Sequence, residues 1–404
     1  MKKLLTLLLF VSIYNYSFSQ CNGRYETEIF SSVSVNTVNY SDVFTGFEHE
    51  MDIYLADGDT ETNRPVVIYM HGGSFYGGDK NLTDCVDFCT SMAKRGYVAI
   101  SANYRLNQNP INFVYSQEEQ FRTVLKAVAD IKGAVRYLRK DHANGNTLGT
   151  DPSAIFVGGY SAGAVLAIHL AYIDQISDLP TSPTNVQDLV ANIGGTLEGD
   201  AGNDGYSSEV AGVFSFAGAI HDLNWIDGND EPLVSVQGDA DGTVSYNCAP
   251  GLGLPTVLTL CGTGEMHPRA DNVGLFNDDL TYPGEDHNWG AGGNSNPLFT
   301  QATQFVVDFL YQLLPCNPNS VASVQEFSFN TEVYPNPVED ILTVSSNEKI
   351  DALNVYNSVG KIVVQKTVLA TNTSINMANL SSGIYLVELT NSSGKKSFKK
   401  VMLN

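Results

Sequence analysis

The stretch IFVGGYSAGAVLAIHLAYI, residues 155–173, constrains the fold more than any other part of the chain. An apolar run that is typical of a buried strand reaches two glycines, and an apolar helical pattern starts directly after Ser161. A serine in so sharp a strand-to-helix turn is either a helix cap or a nucleophile that projects from the backbone. The pattern G-Y-S-A-G alone does not decide between a helix cap and a nucleophile, because short motifs also arise by chance.

Around this turn, apolar runs alternate with helical patterns along the main body of the chain. Such alternation predicts an α/β fold in which helices cover both faces of a mostly parallel sheet. Strands are predicted at 51–55, 65–70, 97–103, 154–158, 210–216, 232–237 and 275–282, and helices at 82–95, 117–141, 162–176 and 297–314. Residues 177–208 are rich in Gly, Asn, Asp, Ser and Pro, which predicts an insertion loop or a rudimentary lid.

A second glycine-rich turn, HGGSF at 71–75, follows a predicted strand. Glycines let the backbone approach a substrate closely, so the amides of Gly73, Ser74 and Ala162 would together stabilise a developing oxyanion. The alternative is an ordinary glycine-rich turn. His71 precedes the glycines, and we expect it to order this loop and not to act as a base.

A serine nucleophile needs a histidine base and a carboxylate that orients it, in the chain order Ser, Asp or Glu, His. Of the seven histidines, His287 alone follows a late strand and precedes a final helix. Asp241 is the predicted carboxylate and Asp239 its rival. A calcium loop at Asp239, Asp241 and Gly242 is a competing interpretation, but the full ligand series is absent. Because imidazole titrates near pH 6.5, we expect activity to fall as the pH drops.

These segments resemble the α/β-hydrolase carboxylesterases that have a His-Gly-Gly oxyanion loop, near the feruloyl-esterase-like and hormone-sensitive-lipase-like enzymes. The likeness covers about residues 45–315 and rests on five motifs: HGGSF at 71–75, NYRL at 103–106, GGYSAG at 158–163, QGDADGTV at 237–244 and YPGEDH at 282–287. The resemblance implies an α/β-hydrolase fold, a catalytic triad of Ser161, Asp241 and His287, and an oxyanion hole of Gly73, Ser74 and Ala162. The implied mechanism requires neither a metal nor an organic cofactor.

The chain departs from that family at two places. Ser74 stands where many relatives carry a third glycine, and this change leaves the backbone amide in place. Gln237 and Gly238 stand where many relatives have His-Gly, which changes the contacts around the triad and leaves the triad intact.

The composition changes after Cys316. Residues 317–331 are polar and predict a linker, and 332–404 contain short alternating segments that predict a small antiparallel β-sandwich. VYPNPVEDILTV, NVYNSVGKIV, LSSGIYLVEL and KKSFKKVMLN resemble the type IX secretion sorting domain of Bacteroidota. This resemblance implies export, the type IX machinery as a partner, and release or attachment at the cell surface. An ordinary β-sandwich binding module is the alternative.

The N-terminus has the pattern of a secretory signal peptide at residues 1–19, with Lys2 and Lys3 before an apolar run and small residues after it. The catalytic domain would then occupy 20–316, with no transmembrane segment in the mature chain. Cys21 raises the possibility of a lipoprotein, for which Gln20 is a poor fit.

Export makes the six cysteines candidates for disulfide bonds, although 15 full connectivities are possible. Cys248 and Cys261 enclose a short Gly/Pro loop and are the predicted pair. Cys85 and Cys89 lie four residues apart on a predicted helix, where they pair poorly with each other, so each pairs elsewhere or stays free.

The net charge of −22 disfavours nucleic acid as a partner. The leading functional hypothesis is a secreted serine carboxylesterase that works through an acyl-enzyme, with acetyl or feruloyl esters of polysaccharides as candidate substrates. The alternatives are a serine peptidase, a lipase or polyester hydrolase on the same fold, and a noncatalytic surface binding protein.

Overall fold

The structure, a computed structural model, describes residues 21, 23–317, 331–357, 361–378, 380–391 and 396–403. The chain divides into two compact units, Met1–Ser320 and Val321–Asn404. The predicted signal peptide and most of the predicted linker lie outside the described residues.

The first unit is built on a central sheet of eight strands. Its described part contains β1 (Val33–Asn39), β2 (Glu50–Ala56), β3 (Arg64–Met70), β4 (Val98–Ala102), β5 (Thr150–Tyr160), β6 (Gly212–Phe216), β7 (Leu233–Gly238), β8 (Cys248–Pro250), β9 (Thr259–Cys261) and β10 (Asn277–Tyr282). The sheet order is β1-β2-β4-β3-β5-β6-β7-β10, and β8 pairs with β9 in a separate hairpin. β1 and β2 are antiparallel to their neighbours, and the other six strands run parallel.

Helices cover both faces of this sheet, and they are α1 (Thr83–Lys94), α2 (Pro110–Tyr115), α3 (Gln117–Ala143), α4 (Ala162–Tyr172), α5 (Thr263–Val273) and α6 (Pro297–Gln312). Alternate residues of β5 enter two different cores, because successive strand side chains point to opposite faces. Ile155 and Val157 belong to a core that also contains side chains of α3, α4 and α5, whereas Phe156 belongs to a second core that contains side chains of α1 and α6. The predicted α/β architecture with a mostly parallel sheet is therefore confirmed.

All seven predicted strands and four predicted helices of this unit are present, with bounds that differ by a few residues. The prediction omitted the edge strand β1, the short hairpin, and helices α2 and α5. Residues 177–208 form short 3-10 turns that pack on α3, and a Cβ atom on Gly199 would lie 2.1 Å from the Cβ of Ala129. This segment is therefore a packed insertion.

Two disulfide bonds lie in the first unit. The predicted bond between Cys248 and Cys261 is confirmed and joins β8 to β9. The second bond joins Cys21 to Cys316 and closes a chain separation of 295 residues. Cys85 and Cys89 are free and buried. Among the described residues, no helix combines the length and hydrophobicity needed to cross a membrane.

The second unit is an antiparallel β domain, as predicted. Its described strands are β11 (Thr331–Tyr334), β12 (Ile341–Tyr356), β13 (Ile362–Asn376), β14 (Gly383–Asn391) and β15 (Lys396–Leu403). β12 pairs with β11, β13 and β14, and β14 pairs with β15. Alternate apolar residues such as Leu353, Val387 and Val401 form its own buried core.

Candidate active site

Ser161 occupies a strained turn between β5 and α4. Its backbone has φ 55° and ψ −119°, a left-handed conformation that costs a residue with a Cβ about 1–3 kcal/mol. The amide of Ser161 donates to the carbonyl of Phe216 on β6 at 2.8 Å, which anchors the turn to the neighbouring strand. The geometry is thus that of a side chain held clear of the sheet at the start of a helix.

The two glycines of the G-Y-S-A-G motif have a steric explanation. A Cβ atom on Gly159 would lie 2.1 Å from the carbonyl oxygen of Met70, and one on Gly163 would lie 2.0 Å from the same atom. No side chain fits at either distance, so the end of β3 would have to move. The glycines therefore allow the turn to pack directly against the end of β3.

The structure brings Ser161, His287 and Asp241 together in one line of hydrogen bonds. Nε2 of His287 lies 2.8 Å from Oγ of Ser161, and Nδ1 lies 2.7 Å from Oδ2 of Asp241. Since an ionised carboxylate can only accept, Nδ1 carries the ring proton and Nε2 presents a lone pair to the serine hydroxyl. The distance between His287 and Ser161 is within reach for proton transfer, and all three residues are buried.

Asp241 and its rival Asp239 have different contacts. Oδ1 of Asp241 accepts hydrogen bonds from the amides of Thr243 and Val244 at 2.9 and 2.8 Å, so its other oxygen is aimed at the imidazole. Asp239 accepts from the amide of Gly284 at 2.6 Å. Asp239 therefore orders the loop that leads to the histidine and makes no hydrogen bond to its ring.

The predicted oxyanion loop lies beside the serine. A Cβ atom on Gly72 would lie 3.4 Å from the Cβ of Ser161, and Gly73 has φ +123°, where a Cβ would meet a carbonyl oxygen at 2.1 Å. Within the described part of the chain, the amides of Gly73, Ser74 and Ala162 donate no hydrogen bond. The amide of Ala162 also lies in the first turn of α4, at the positive end of the helix dipole.

His71 holds this loop in place through contacts with Gly72 and Tyr104. Its Nδ1 lies 2.7 Å from the carbonyl oxygen of Gly72, and its ring stacks on Tyr104 with centroids 4.4 Å apart. Burial lowers the pKa of His71, which favours the neutral ring. It makes no hydrogen bond to Ser161, as expected for a residue that is not the base.

Sequence reasoning missed Tyr160, the residue before the serine. Its hydroxyl donates to the carbonyl oxygen of His287 and accepts from the amide of Gly290 at 3.1 Å. Its ring packs against Trp289 with centroids 5.5 Å apart. Tyr160 thus ties the serine turn to the loop that carries the histidine, and nothing local in the sequence marks this role.

Gln237 supports the carboxylate loop. Its side chain is fully buried, and Nε2 donates to the carbonyl oxygen of Val244 at 2.7 Å and lies 3.5 Å from Oδ2 of Asp241. Oε1 accepts from the amide of Thr263 at 2.9 Å. The glutamine that departs from the family pattern therefore holds the two ends of this loop together.

An apolar cavity opens at Ser161. Its walls come from α2, α3, α4 and the disulfide-bonded hairpin, and include Phe75, Phe113, Phe121, Val124, Val165, His169, Val244, Leu252, Val257 and Leu260. Among the described residues, none from 177–208 lines this cavity, which favours the insertion loop over the lid as the interpretation of that segment.

Gln120 joins two walls of the cavity. Its Nε2 donates to the carbonyl oxygen of Phe113 on α2 at 2.7 Å and to that of Thr256 in the hairpin at 3.3 Å. Its Oε1 accepts from the amide of Leu258 at 2.9 Å. Because Gln120 is buried, these bonds set the separation of the two walls.

Comparison with family models finds one match in each unit. Residues 51–192 match the family BD-FAE. Residues 332–404 match the family described as secretion system C-terminal sorting domain.

Three characterised proteins share limited similarity with the chain. β-Agarase D of Zobellia galactanivorans is 25% identical over 146 residues, which cover 31% of this chain and 30% of that protein. Neuroligin-like protein glit-1 of Caenorhabditis elegans is 30% identical over 104 residues, 26% of this chain and 13% of that protein. Juvenile hormone esterase of Heliothis virescens is 29% identical over 115 residues, 28% of this chain and 19% of that protein. The chain thus spans less than a third of each relative.

Solved structures agree on the fold of the first unit. A propionate-bound esterase of Thermogutta terrifontis has a TM-score of 0.50 at 19% identity and covers 70% of this chain and 96% of its own. A truncated carbohydrate esterase from gut microbiota has the same score, identity and coverage. The family matches and this shared fold agree: residues 51–192 are similar to the BD-FAE family, the first unit has the α/β-hydrolase fold, and residues 332–404 are similar to the secretion system C-terminal sorting domain.

Proposed function

We propose that the protein is a serine hydrolase of carboxylic esters. The observation that carries this proposal is the hydrogen-bonded line of Ser161, His287 and Asp241 at the mouth of an apolar cavity. The family match and the esterases among the similar proteins support the same reaction class.

The reaction would proceed in two halves. Oγ of Ser161 attacks the ester carbonyl carbon while its proton passes to Nε2 of His287, and a tetrahedral oxyanion forms. When that intermediate collapses, His287 gives the proton to the departing alkoxide, which leaves as the alcohol. Water then attacks the acyl-enzyme, losing a proton to His287, and the acid leaves as the proton returns to Ser161.

The surrounding groups stabilise the charges that develop. Asp241 holds the ring in the correct tautomer and stabilises the imidazolium. The free amides of Gly73, Ser74 and Ala162 would donate to the oxyanion, and loss of one such donor costs about 10²–10³ in rate in other hydrolases.

The cavity restricts the class of substrate, and the second unit indicates where the protein acts. Apolar walls favour esters with an apolar acyl or alcohol group over peptides with charged side chains. We propose export by the predicted signal at residues 1–19 and delivery by type IX machinery through residues 332–404. Esters of polysaccharides would then be accessible outside the cell, which agrees with the carbohydrate esterase among the similar structures.

The proposed export can be tested by deletion of residues 332–404. We expect the deleted form to stay inside a host that has type IX secretion, and its secretion would contradict the proposal.

The experiment compares the purified chain with Ser161→Ala on p-nitrophenyl acetate, butyrate and octanoate. We expect the substitution to lower kcat by about 10⁴-fold or more because the nucleophile is lost. Ser153→Ala is the matched control, since this exposed serine bonds only within its own turn and should leave the rates unchanged. Circular dichroism would verify folding. Hydrolysis that persists in a folded Ser161→Ala protein would refute the proposal.

A further inference from the structure

The loop beside the nucleophile contains a serine in a backbone conformation that suits glycine. Ser74 has φ 54°, in the left-handed region, where a residue with a Cβ pays a steric cost that glycine avoids. Phe75, with φ 64°, and Ser161, with φ 55°, share this conformation, and all three line the same cavity. Strain of this kind clusters at active sites, where the strained residue has a function.

The shape of this loop does not depend on the side chain of Ser74. The carbonyl oxygen of Gly73 accepts a hydrogen bond from the amide of Tyr76 at 3.1 Å, and that of Phe75 accepts from the amide of Asn107 at 2.7 Å. These backbone bonds fix the chain on both sides of Ser74. A glycine at this position would therefore keep the same path at a lower steric cost.

The hydroxyl of Ser74 is available at the reaction centre. Ser74 lines the cavity together with Ser161 and Ala162, and it is half-buried. Among the described residues, its Oγ makes no hydrogen bond. The hydroxyl oxygen is three bonds from the amide nitrogen of the same residue, so both groups can donate to one acceptor. That amide is already a candidate donor to the oxyanion.

We propose that Oγ of Ser74 donates a fourth hydrogen bond to the oxyanion, beside the amides of Gly73, Ser74 and Ala162. Serine hydroxyls are among the side-chain donors that oxyanion holes use. The bond strengthens as negative charge develops on the substrate oxygen, so it stabilises the transition state more than the bound ester. The inference rests on the proposed function, since it concerns the same reaction. The hydroxyl forms no covalent bond and transfers no proton.

Stability and activity should then respond to Ser74 in opposite directions. Glycine at this position removes the steric cost of φ 54°, so the fold should be as stable as the wild type or more stable. The same change removes the hydroxyl, so the reaction should become slower. A purely structural serine would show the reverse pattern for stability, because its loss would weaken the fold.

The test measures kcat and KM for p-nitrophenyl butyrate with the full chain and with Ser74→Ala and Ser74→Gly. We expect kcat to fall by about 10- to 100-fold in both variants, the range of one hydrogen bond to a charged group, while KM changes much less. The Tm of Ser74→Gly should equal or exceed that of the wild type. Tyr76→Phe is the matched control, since it removes a hydroxyl from the same loop outside the cavity and should keep kcat.

A second measurement shows where the hydroxyl acts. Oγ of Ser161 can add to the carbonyl of butyl trifluoromethyl ketone, and the resulting hemiketal carries an oxyanion in the same position as the ester intermediate. We expect the inhibition constant of this ketone to rise in Ser74→Ala by about the factor by which kcat falls. An unchanged inhibition constant beside a lower kcat would overturn the inference, because the hydroxyl would then act elsewhere.

The remaining outcomes separate the inference from the proposed function. A kcat of Ser74→Ala or Ser74→Gly within about twofold of the wild type would overturn the inference and leave the proposed function intact. A Tm that falls together with kcat in both variants would also overturn it, since Ser74 would then be structural. If the wild type hydrolyses no ester, the proposed function fails and the inference fails with it.

Discussion

Replacing Tyr160 with phenylalanine should show how the position of His287 affects kcat, apart from any effect on the stability of the fold. The substitution removes one hydroxyl and leaves the carbonyl of His287 and the amide of Gly290 without this partner. Each hydrogen bond has a net value of about 0.5–1.5 kcal/mol, so the free energy of unfolding should fall by about 2 kcal/mol. The carbonyl belongs to the histidine itself, so its release should also loosen the ring relative to Ser161.

A loss of about 1.4 kcal/mol of transition-state stabilisation corresponds to a tenfold lower kcat. We therefore expect kcat on p-nitrophenyl butyrate to fall about tenfold, while KM changes little because Tyr160 does not line the cavity. Tyr282→Phe is the matched control, since its hydroxyl donates to the carbonyl of Leu298 at 2.7 Å, away from His287. That control should lose stability and keep kcat. A Tyr160→Phe protein that loses the same stability and keeps kcat within twofold would refute the reasoning.

Three further variants test other parts of the first unit. Gly159→Ala places a Cβ 2.1 Å from the carbonyl oxygen of Met70, so the yield of folded protein or its Tm should fall sharply; an unchanged Tm would contradict the steric argument. Cys248→Ser with Cys261→Ser frees the hairpin in the cavity wall, so KM for p-nitrophenyl octanoate should rise several-fold more than KM for acetate, and equal changes would count against this role. Burial raises the pKa of Glu231 to about 8, so its contribution to stability is present below about pH 4.5 and is lost as the pH rises through 8. Glu231→Gln should therefore raise the Tm by several degrees at pH 8.5 and by little at pH 5, and a pH-independent difference would refute this assignment.

The parts that could be predicted from the sequence are those with local causes. The turn at Ser161 was recognisable because a strand must end and a helix must begin within two residues, and only small neighbours permit this. The structure adds the reason for both glycines, Gly159 and Gly163, in the carbonyl oxygen of Met70. Likewise, the hairpin disulfide Cys248–Cys261 was predictable because its loop is short.

The missed features depend on partners that are distant along the chain. β1 lies at the edge of the sheet with mostly exposed side chains, so it lacks the apolar run by which the inner strands were found. The bond between Cys21 and Cys316 spans nearly the whole first unit, and no spacing rule selects it among the possible pairings. Tyr160 falls on the variable position of its motif, and its role appears only when the loop of His287 folds against it.

The cavity shows why reaction type can be read from a sequence more readily than substrate choice. The groups that would make and break bonds follow strand ends, where the order of the fold brings them together. The walls instead come from α2, α3, α4 and the hairpin, and Gln120 of α3 joins two of them by bonding to Phe113 seven residues away and to Leu258 at a separation of 138. A change at Gln120 would therefore alter the shape of the cavity without touching the serine, the histidine or the carboxylate. Substrate preference in this protein would thus depend on residues that no catalytic motif includes.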